Sequence, residues 1–542
     1  MSANKIILND GVNIGQNGAE HDDNFLFKCF VDHPAYDELT DIDTPSTFIL
    51  GSTGAGKTAI IRMVNKNEEN SAELEIHNLS MNHIANSDTI LFLRSLDIDL
   101  TLFFQALWKH VLCVEYIKVI IRAADKAQFQ FKVSKIFDAV KRQRQREKLE
   151  KFVKDHEDQF WNTIDENVIE LTDSLEREFS TDFGLELKKF VGKAGYIHNL
   201  GSQQKVQLQQ RAKKFLNKLT LSELPAVISS LSDYTRGRQD RYFITIDGLD
   251  EHWVDDAIKF QLIQALFESL KGLKKLRNFQ VIVALRNDLY VKMVRETPSS
   301  QRQIEKYEDL IVRLKWSKVQ LRTLADKRVR ELFQWKYSST DISFDDIFKQ
   351  YPDSRTSPWD YIIERTLNRP RDVINFINLT LQAAEGKSAV SKNAFLLGEA
   401  NYSNLRLETL IHEWSGTFPA ISEILELLRD RPAHRLASEL MHSKFTEELY
   451  DALGKNPRCH KDEIWRTLVR YVEGVAEVEP HDLARQALFR LHLIGAIGLK
   501  LREDRPWDWI YITTRPVLEQ QIDQNTKFRV HPMLFASLSI RK

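Results

Sequence analysis

The residues best suited to chemistry form one short run, "GSTGAGKT", residues 51–58. It fits the pattern G-x-x-x-x-G-K-[ST], in which small residues let consecutive backbone N–H groups curl around the α/β-phosphates of a nucleotide. Gly51, Ser52, Thr53, Gly54, Ala55 and Gly56 would form that cradle. Lys57 would reach the β/γ-phosphates, and the Thr58 hydroxyl would ligate Mg²⁺. The cofactors to expect are therefore ATP and Mg²⁺.

A phosphate loop alone does not hydrolyse anything, so a metal-side acid is needed on a second strand. "YFITIDGLDEHW", residues 242–253, supplies one. Tyr242 to Ile246 are aromatic or β-branched throughout, as in a central parallel strand covered on both faces, and the run ends in Asp247. An acid at the carboxyl end of such a strand points into the crevice where open α/β sheets bind ligands. Asp247 is read as the Mg²⁺ acid, acting through a coordinated water. Asp250 and Glu251 follow one short turn later, placed to polarise a water aimed at the γ-phosphate. A third strand is expected in "NFQVIVALRNDLY", residues 278–290, where the apolar run Val281 to Leu285 gives way to Arg286, Asn287 and Asp288. Beside the Asp247 strand, Arg286 or Asn287 would read the γ-phosphate or orient water.

The elements that must position these groups are visible around them. Thr47 to Leu50 read as a short buried strand, and Ala59 to Met63 open an apolar helix, which gives the strand, loop, helix order the motif requires. The expected fold class is α/β: a P-loop NTPase core interrupted by a helical insertion and followed by a helical lid and a C-terminal winged-helix-like domain.

Composition sets the bounds. With 542 residues the chain exceeds what one hydrophobic core serves, so several domains are expected. Basic and acidic residues number 76 and 77, which argues against a wholesale basic nucleic-acid coat but leaves room for a local patch. Cys29, Cys113 and Cys459 are too far apart for a metal-binding pattern and too few for a secreted disulfide framework, which points to a reducing compartment. The opening "MSANKIILNDG" lacks the parts of a signal peptide, and no run of apolar residues is long enough to span a bilayer. The expectation is a cytoplasmic protein with no membrane partner.

Lys57 and Asp247 lie 190 positions apart, too far for a minimal sheet, so something is inserted. From Lys141 to Phe179 the chain has no Pro or Gly, and Val153, Phe160, Ile164, Val168, Leu171 and Leu175 draw a stripe along a long helix. A coiled coil or projecting hairpin is expected, with residues 202–218 as its returning arm. Its start carries Arg142, Arg144, Arg146 and Lys148, cations that would follow a DNA or RNA backbone or form an ordinary solvated face.

The loop 51–58 paired with "IDGLDE", residues 246–251, resembles the STAND branch of the AAA+ superfamily, whose acidic motif carries its second acid three residues after the first. Ordinary AAA+ proteins place Glu directly after the metal acid, where this chain has Gly248. The resemblance implies a slow ATPase switch, with Asp250 activating water and Glu251 next in line. "LKWSKVQLRTLADKRVRELF", residues 314–333, resembles the first lid helix of a bacterial P-loop ATPase family related to ORC/Cdc6-like proteins. "RTLNRPRDVINFIN", residues 365–378, resembles its sensor-2 segment. There Asn368, Arg369, Pro370 and Arg371 stand in place of a Gly-x-x-Arg element, so the resemblance puts Arg371 on the γ-phosphate. "AEHDDNFLFKCFVDHPAY", residues 19–36, resembles the family's lead-in. An arginine finger from a neighbour would need a homo-oligomer, with Arg295 and Arg302 as candidates.

After Gly386 short amphipathic helices follow, at 421–430, 462–472 and 480–500. Ala496–Lys500 and Trp509–Thr513 are expected to pair as the closing hairpin of a winged helix, and the terminal "NTKFRVHPML" resembles the bacterial family's closing signature. Arg485 and Arg490 give the helix from His481 little basic excess, and His531 reads as a buried structural histidine. The expected domains are 1–95 (first part of the ATPase core with its lead-in), 96–235 (helical insertion), 236–313 (second part of the core), 314–385 (lid) and 386–542 (C-terminal helical and winged-helix-like domain).

The function expected is an ATP-binding and hydrolysing conformational switch that senses nucleic acid or a foreign component and regulates a separate effector protein. The bacterial resemblance implies a setting in antiviral defence or mobile elements. No nuclease, protease, deaminase or NAD-consuming constellation is recognisable, so toxic chemistry would belong to the partner. A non-hydrolysing scaffold that uses ATP to hold an interface is the alternative; a small-molecule kinase would need an acceptor-binding element that the sequence does not display.

Overall fold

The computed structural model describes residues 7–76, 100–128, 146–154, 224–236, 239–251, 254, 256–274, 276–296, 307–337, 342–353, 355–475, 478–511 and 517–541. Two compact units divide the chain. A sheet unit comprises 34–51 and 57–313; a helical unit comprises 1–33, 52–56 and 314–542.

The sheet unit is built on five parallel strands, β1 (Phe48–Gly51), β2 (Ser71–Glu75), β3 (Tyr242–Asp247), β4 (Phe279–Arg286) and β5 (Ile311–Arg313), in the order β2-β3-β4-β1-β5. β4 lies beside the Asp247 strand, as expected, and also beside β1. The register sets Gly51 opposite Arg286 and Glu75 opposite Asp247, so the carboxyl ends that carry polar residues face one edge of the sheet. β1, β3 and β4 are buried along nearly their whole length, and for that reason read as continuous apolar runs rather than alternating ones.

Helices α1 (Lys57–Asn67), α2 (Thr101–Gln128), α3 (Leu224–Thr235), α4 (Asp256–Leu273) and α5 (Asn287–Glu296) belong to the same unit. Phe48 of β1 stacks on Phe267 of α4 at 3.6 Å, and Tyr116 of α2 stacks on Phe279 of β4 at 4.0 Å. Trp108 of α2 donates its indole N–H to Leu262 O at 2.9 Å, which satisfies the one polar atom of a fully buried ring. The first helix of the expected insertion 96–235 is thus a layer of the sheet's own core. The stripe from Phe160 to Leu175 and the returning arm lie outside the described residues.

In the helical unit, α6 (Lys318–Tyr337), α7 (Pro370–Ala383) and α8 (Lys392–Trp414) are followed by α9 (Ile421–Glu426), β6 (His434–Leu436), α10 (Ser443–Gly454), a 3₁₀ turn (Pro457–Lys461), α11 (Glu463–Val472), α12 (Pro480–Leu493), β7 (Ile497–Lys500) and β8 (Lys527–Val530). Leu321, Phe376, Tyr402, Leu488 and Phe528 belong to one apolar core, so segments 314–385 and 386–542 share it. The helix expected before the Ala496–Lys500 strand ends at Leu493, because Gly495 turns the chain at φ +79° and β7 begins two residues later.

Of the expected hairpin of Ala496–Lys500 with Trp509–Thr513, the described residues form one antiparallel bridge and no second strand over Trp509–Tyr511. β7 pairs antiparallel with β8, which also pairs with β6, and Trp509's neighbour Asp508 makes only an isolated bridge to Leu499. The reason is packing. The Trp509 indole lies so close over Gly498 that a Cβ there would sit 2.6 Å from Cε2, and the ring meets His531 edge-on at 5.0 Å. Trp509 covers the sheet instead of extending it, while Lys527–Val530 alternates half-buried and buried and fits the strand role. Residues 512–516 lie outside the described residues. Among those described, no helix is long and apolar enough to cross a membrane.

Candidate functional site

In the sheet unit, β1 delivers Gly51 and α1 opens with Lys57 and Thr58. The Lys57 ammonium donates to Gly51 O at 3.0 Å. The Thr58 hydroxyl donates to Asp247 Oδ2 at 2.7 Å, and Gly248 N donates to Asp247 Oδ1 at 2.9 Å. Two residues 189 positions apart in sequence are therefore in direct contact. Burial pushes the Asp247 carboxyl upward, opposed by these two hydrogen bonds and the Lys57 charge, which favour its ionised form. Glu73 of β2 is likewise pushed up, first by burial and then by the charge of Asp247. The Asp247 charge is thus felt by a carboxylate on the neighbouring strand.

Gly248 has φ +79°, and the turn it makes lets Glu251 N donate to Gly248 O at 3.0 Å. Asp250 Oδ2 accepts from Arg286 Nη1 at 3.2 Å. Arg286 is also gripped on two nitrogens by Asp288, at 2.9 Å each, so the guanidinium is oriented by carboxylates on both sides. Asn287 is exposed and begins α5. The structure brings Thr58 to Asp247 and Asp250 to Arg286; Glu251 and Asn287 stand on the same strand ends.

Ser52–Gly56 pack within the helical unit. Gly54 and Gly56 have φ of +78° and +100°, a region open to glycine and strained for other residues. A Cβ on Gly54 would lie 2.7 Å from Arg371 Cβ, and Arg371 N donates to Gly54 O at 3.3 Å. The Arg371 side chain donates through Nε to Asn17 O at 2.9 Å. Burial lowers its pKa from the usual arginine value. Asn368, where a glycine stood in the pattern it resembles, has φ +50°: the backbone keeps the left-handed turn, which Asn tolerates better than most side chains. Pro370 then starts α7 at a position whose missing N–H costs nothing.

Three residues that sequence reasoning missed hold this loop. Arg369 Nη1 donates to Thr53 O at 2.7 Å, Thr53 N donates to Glu413 Oε1 at 3.3 Å, and the Trp316 indole donates to Ala55 O at 2.7 Å. Arg369 is buried on Asp372 at 3.2 Å, and Asp372 in turn meets Arg406 at 3.4 Å. The sequence carries three charged residues at 369, 371 and 372, and nothing in their spacing says which one meets the loop. Along α7 runs a cleft of about 280 Å³ lined by Asn13, Asn17, Asn375, Asn378 and Gln382; Asn375 is 8% exposed.

Of the basic residues at the start of the inserted arm, Arg142 and Arg144 lie outside the described residues. Arg146 pairs with Asp125 and Glu150 at 2.6 Å each, so its charge is used within the unit, and Lys148 is exposed. Arg302 and the side chain of Arg295 lie outside the described residues as well. His531 is fully buried between Tyr511 OH at 2.9 Å and Met533 N at 3.1 Å, as expected of a structural histidine.

The fold and these contacts define an α/β protein with a glycine loop following a parallel strand and an acid on a second strand. Residues 319–411, from α6 through most of α8, match the FunZ-associated C-terminal helical domain. No curated protein and no solved structure matches the chain.

Proposed function

We propose that this chain is an ATP-binding and hydrolysing conformational switch with a P-loop NTPase core of the STAND/AAA+ type, a helical lid and a winged-helix-like tail. The observation that carries the reading is the 2.7 Å contact between Thr58 and Asp247, the hydroxyl and carboxylate that such a core needs side by side. The sheet order supports it: one strand, β4, separates the phosphate-loop strand from the acidic strand. So do the positive φ values of Gly54 and Gly56.

The residues fit Mg²⁺-ATP. Mg²⁺ takes one or two protein oxygens and completes its shell with water and phosphate; Thr58 would supply the protein oxygen, and Asp247 beside it would hold a coordinated water. Bound there, the ion would neutralise phosphate charge. Lys57 would exchange Gly51 O for the polyphosphate. Asp250 would accept a proton from water, with Arg286 as its positioning residue, and Arg371 would link phosphate occupancy to the lid.

In the tail, the order β6, α10, α11, α12, β7, β8 with sheet order β6-β8-β7 supports the winged-helix reading. Its partner would be an effector protein, with nucleic acid or a foreign component as trigger, in a cytoplasmic and defensive setting. The contact of Asp250 with Arg286 also favours a second reading, a scaffold that binds ATP without turnover, because the proposed base is already engaged.

One experiment tests both. Lys57→Ala is expected to lose most ATP affinity, whereas Asp250→Asn retains ATP and releases phosphate slowly. Nucleotide titration and phosphate release decide: unchanged affinity in the first variant defeats the phosphate-cradle assignment. Absence of turnover in the wild-type protein, with tight binding, selects the scaffold.

A further inference from the structure

The helix that would read a duplex in a winged helix is α12, and its arginines are spent. Arg485 is bound to Asp482 and Ile522 O, and Arg490 is buried on Asp462 at 2.6 Å. A different face of the same unit has the opposite character. Trp465 of α11 stacks with His460, at 4.3 Å and 19°, and with Tyr450 of α10, at 5.8 Å and 23°. Three rings therefore stack nearly parallel at the surface. Tyr450 is 44% exposed and His460 is exposed, so these two rings border solvent.

Cations are interspersed with these rings along the chain. Lys455, Arg458, Lys461 and Arg466 are exposed, and among the described residues none of these side chains has an ion-pair or hydrogen-bond partner. Arg470 adds a further positive charge one turn beyond Arg466. From 455 to 470 the acids are Asp462 and Glu463, and Asp462 is consumed by Arg490. Asp451, exposed beside Tyr450, is the nearest opposing charge on α10 in sequence. Elsewhere in this unit arginines are mostly matched by a carboxylate, as Arg429 is by Glu426 and Arg431 by Glu448.

We propose that this face of α10, the 3₁₀ turn and α11 binds single-stranded nucleic acid, its unpaired cations meeting the phosphates and a splayed base continuing the His460–Trp465–Tyr450 stack. Charge complementarity selects an anionic occupant, and the flat ring ends select one that offers π faces between its charges. An acidic peptide satisfies only the first condition. A duplex keeps its bases stacked on each other and satisfies only the first as well. This inference rests on the nucleic-acid branch of the function proposed above and is independent of nucleotide turnover.

The test uses the full chain and fluorescein-labelled single strands of DNA and RNA, with a duplex of equal length, read by fluorescence anisotropy over a salt series. The wild type is expected to bind both single strands more tightly than the duplex. Replacing Lys455, Arg458, Lys461 and Arg466 together with Gln should lower the logarithmic salt slope by about 2.8, at about 0.7 per phosphate contact on a single strand. Tyr450→Ala with His460→Ala should weaken single-strand binding about tenfold while leaving the salt slope unchanged, a split that loss of folding would not produce. Circular dichroism and a melting curve confirm that the exposed variants fold. Unchanged affinity in both variants, or a wild type that binds the duplex as well as the single strand, overturns the proposal. If binding survives both variants, nucleic acid is bound elsewhere and the wider reading stands; if the wild type binds none, that branch falls too. Phosphate release without nucleic acid should match wild type in both variants.

Discussion

Asp372→Asn tests whether the buried charges behind the glycine loop hold it in place. Asp372 is 1% exposed and meets Arg369 Nε at 3.2 Å, Arg406 Nη1 at 3.4 Å and Leu367 N at 3.1 Å. At an effective dielectric of about 20, each charge pair at this range is worth about 5 kcal/mol before desolvation is subtracted. Burial opposes ionisation of Asp372, but the two guanidinium groups outweigh it and its pKa is lowered. The carboxylate is therefore charged and favourably placed. Asparagine keeps the shape and removes the charge, taking from Arg406 and Arg369 the carboxylate they share and leaving Arg369 with Glu413 at 3.9 Å, so a loss of about 3–5 kcal/mol is expected. Since Arg369 Nη1 also holds Thr53 O at 2.7 Å, nucleotide affinity should fall with stability. Guanidinium denaturation followed by tryptophan fluorescence measures the first effect, and nucleotide titration the second. The control is Glu426→Gln, which breaks the half-exposed pair with Arg429 and should cost at most about 1 kcal/mol. A midpoint shift in Asp372→Asn no larger than in the control refutes the reasoning.

His531 gives a pH prediction. Burial first, and nearby arginines after it, push its pKa down to about 3, so the folded protein keeps it neutral while the unfolded chain protonates near pH 6.5. Its contribution is thus fully present above about pH 6.5 and is lost as pH falls, by about 2 kcal/mol at pH 5. His531→Gln should be less stable at pH 8, having lost the Tyr511 contact, but with a shallower decline between pH 7 and 5 in denaturation midpoints; an equally steep decline removes His531 as the cause. Arg371→Ala should still bind nucleotide yet lose the difference in small-angle scattering between ADP and a non-hydrolysable ATP analogue. A preserved difference excludes Arg371 as the coupling residue.

Much of the local chemistry was legible because its signals are local. The spacing from Gly51 to Thr58 implies a loop between a buried strand and a helix, and β1 and α1 flank it. The β-branched run ending at Asp247 implies a buried strand with its acid at the carboxyl end, and β3 is that strand. Pro370 implies a helix start, and α7 starts there. Each inference uses residues within a few positions of one another, where backbone sterics and hydrogen-bond period dominate.

Tertiary structure decided what depends on chain segments meeting. Thr53 is gripped by Arg369 and Glu413 from 316 and 360 positions away, and no period or spacing links them. Arg146 looked like a free cation beside Arg144 until Asp125, 21 positions earlier, came within 2.6 Å. β7 takes Lys527–Val530 as its strand partner on one edge and meets only Asp508 on the other, where the Trp509 indole packs over Gly498. A sequence specifies which side chains want burial, charge or a turn. Which partner satisfies each is settled by competition among distant segments for the same surface, and that competition is resolved only when the whole unit packs.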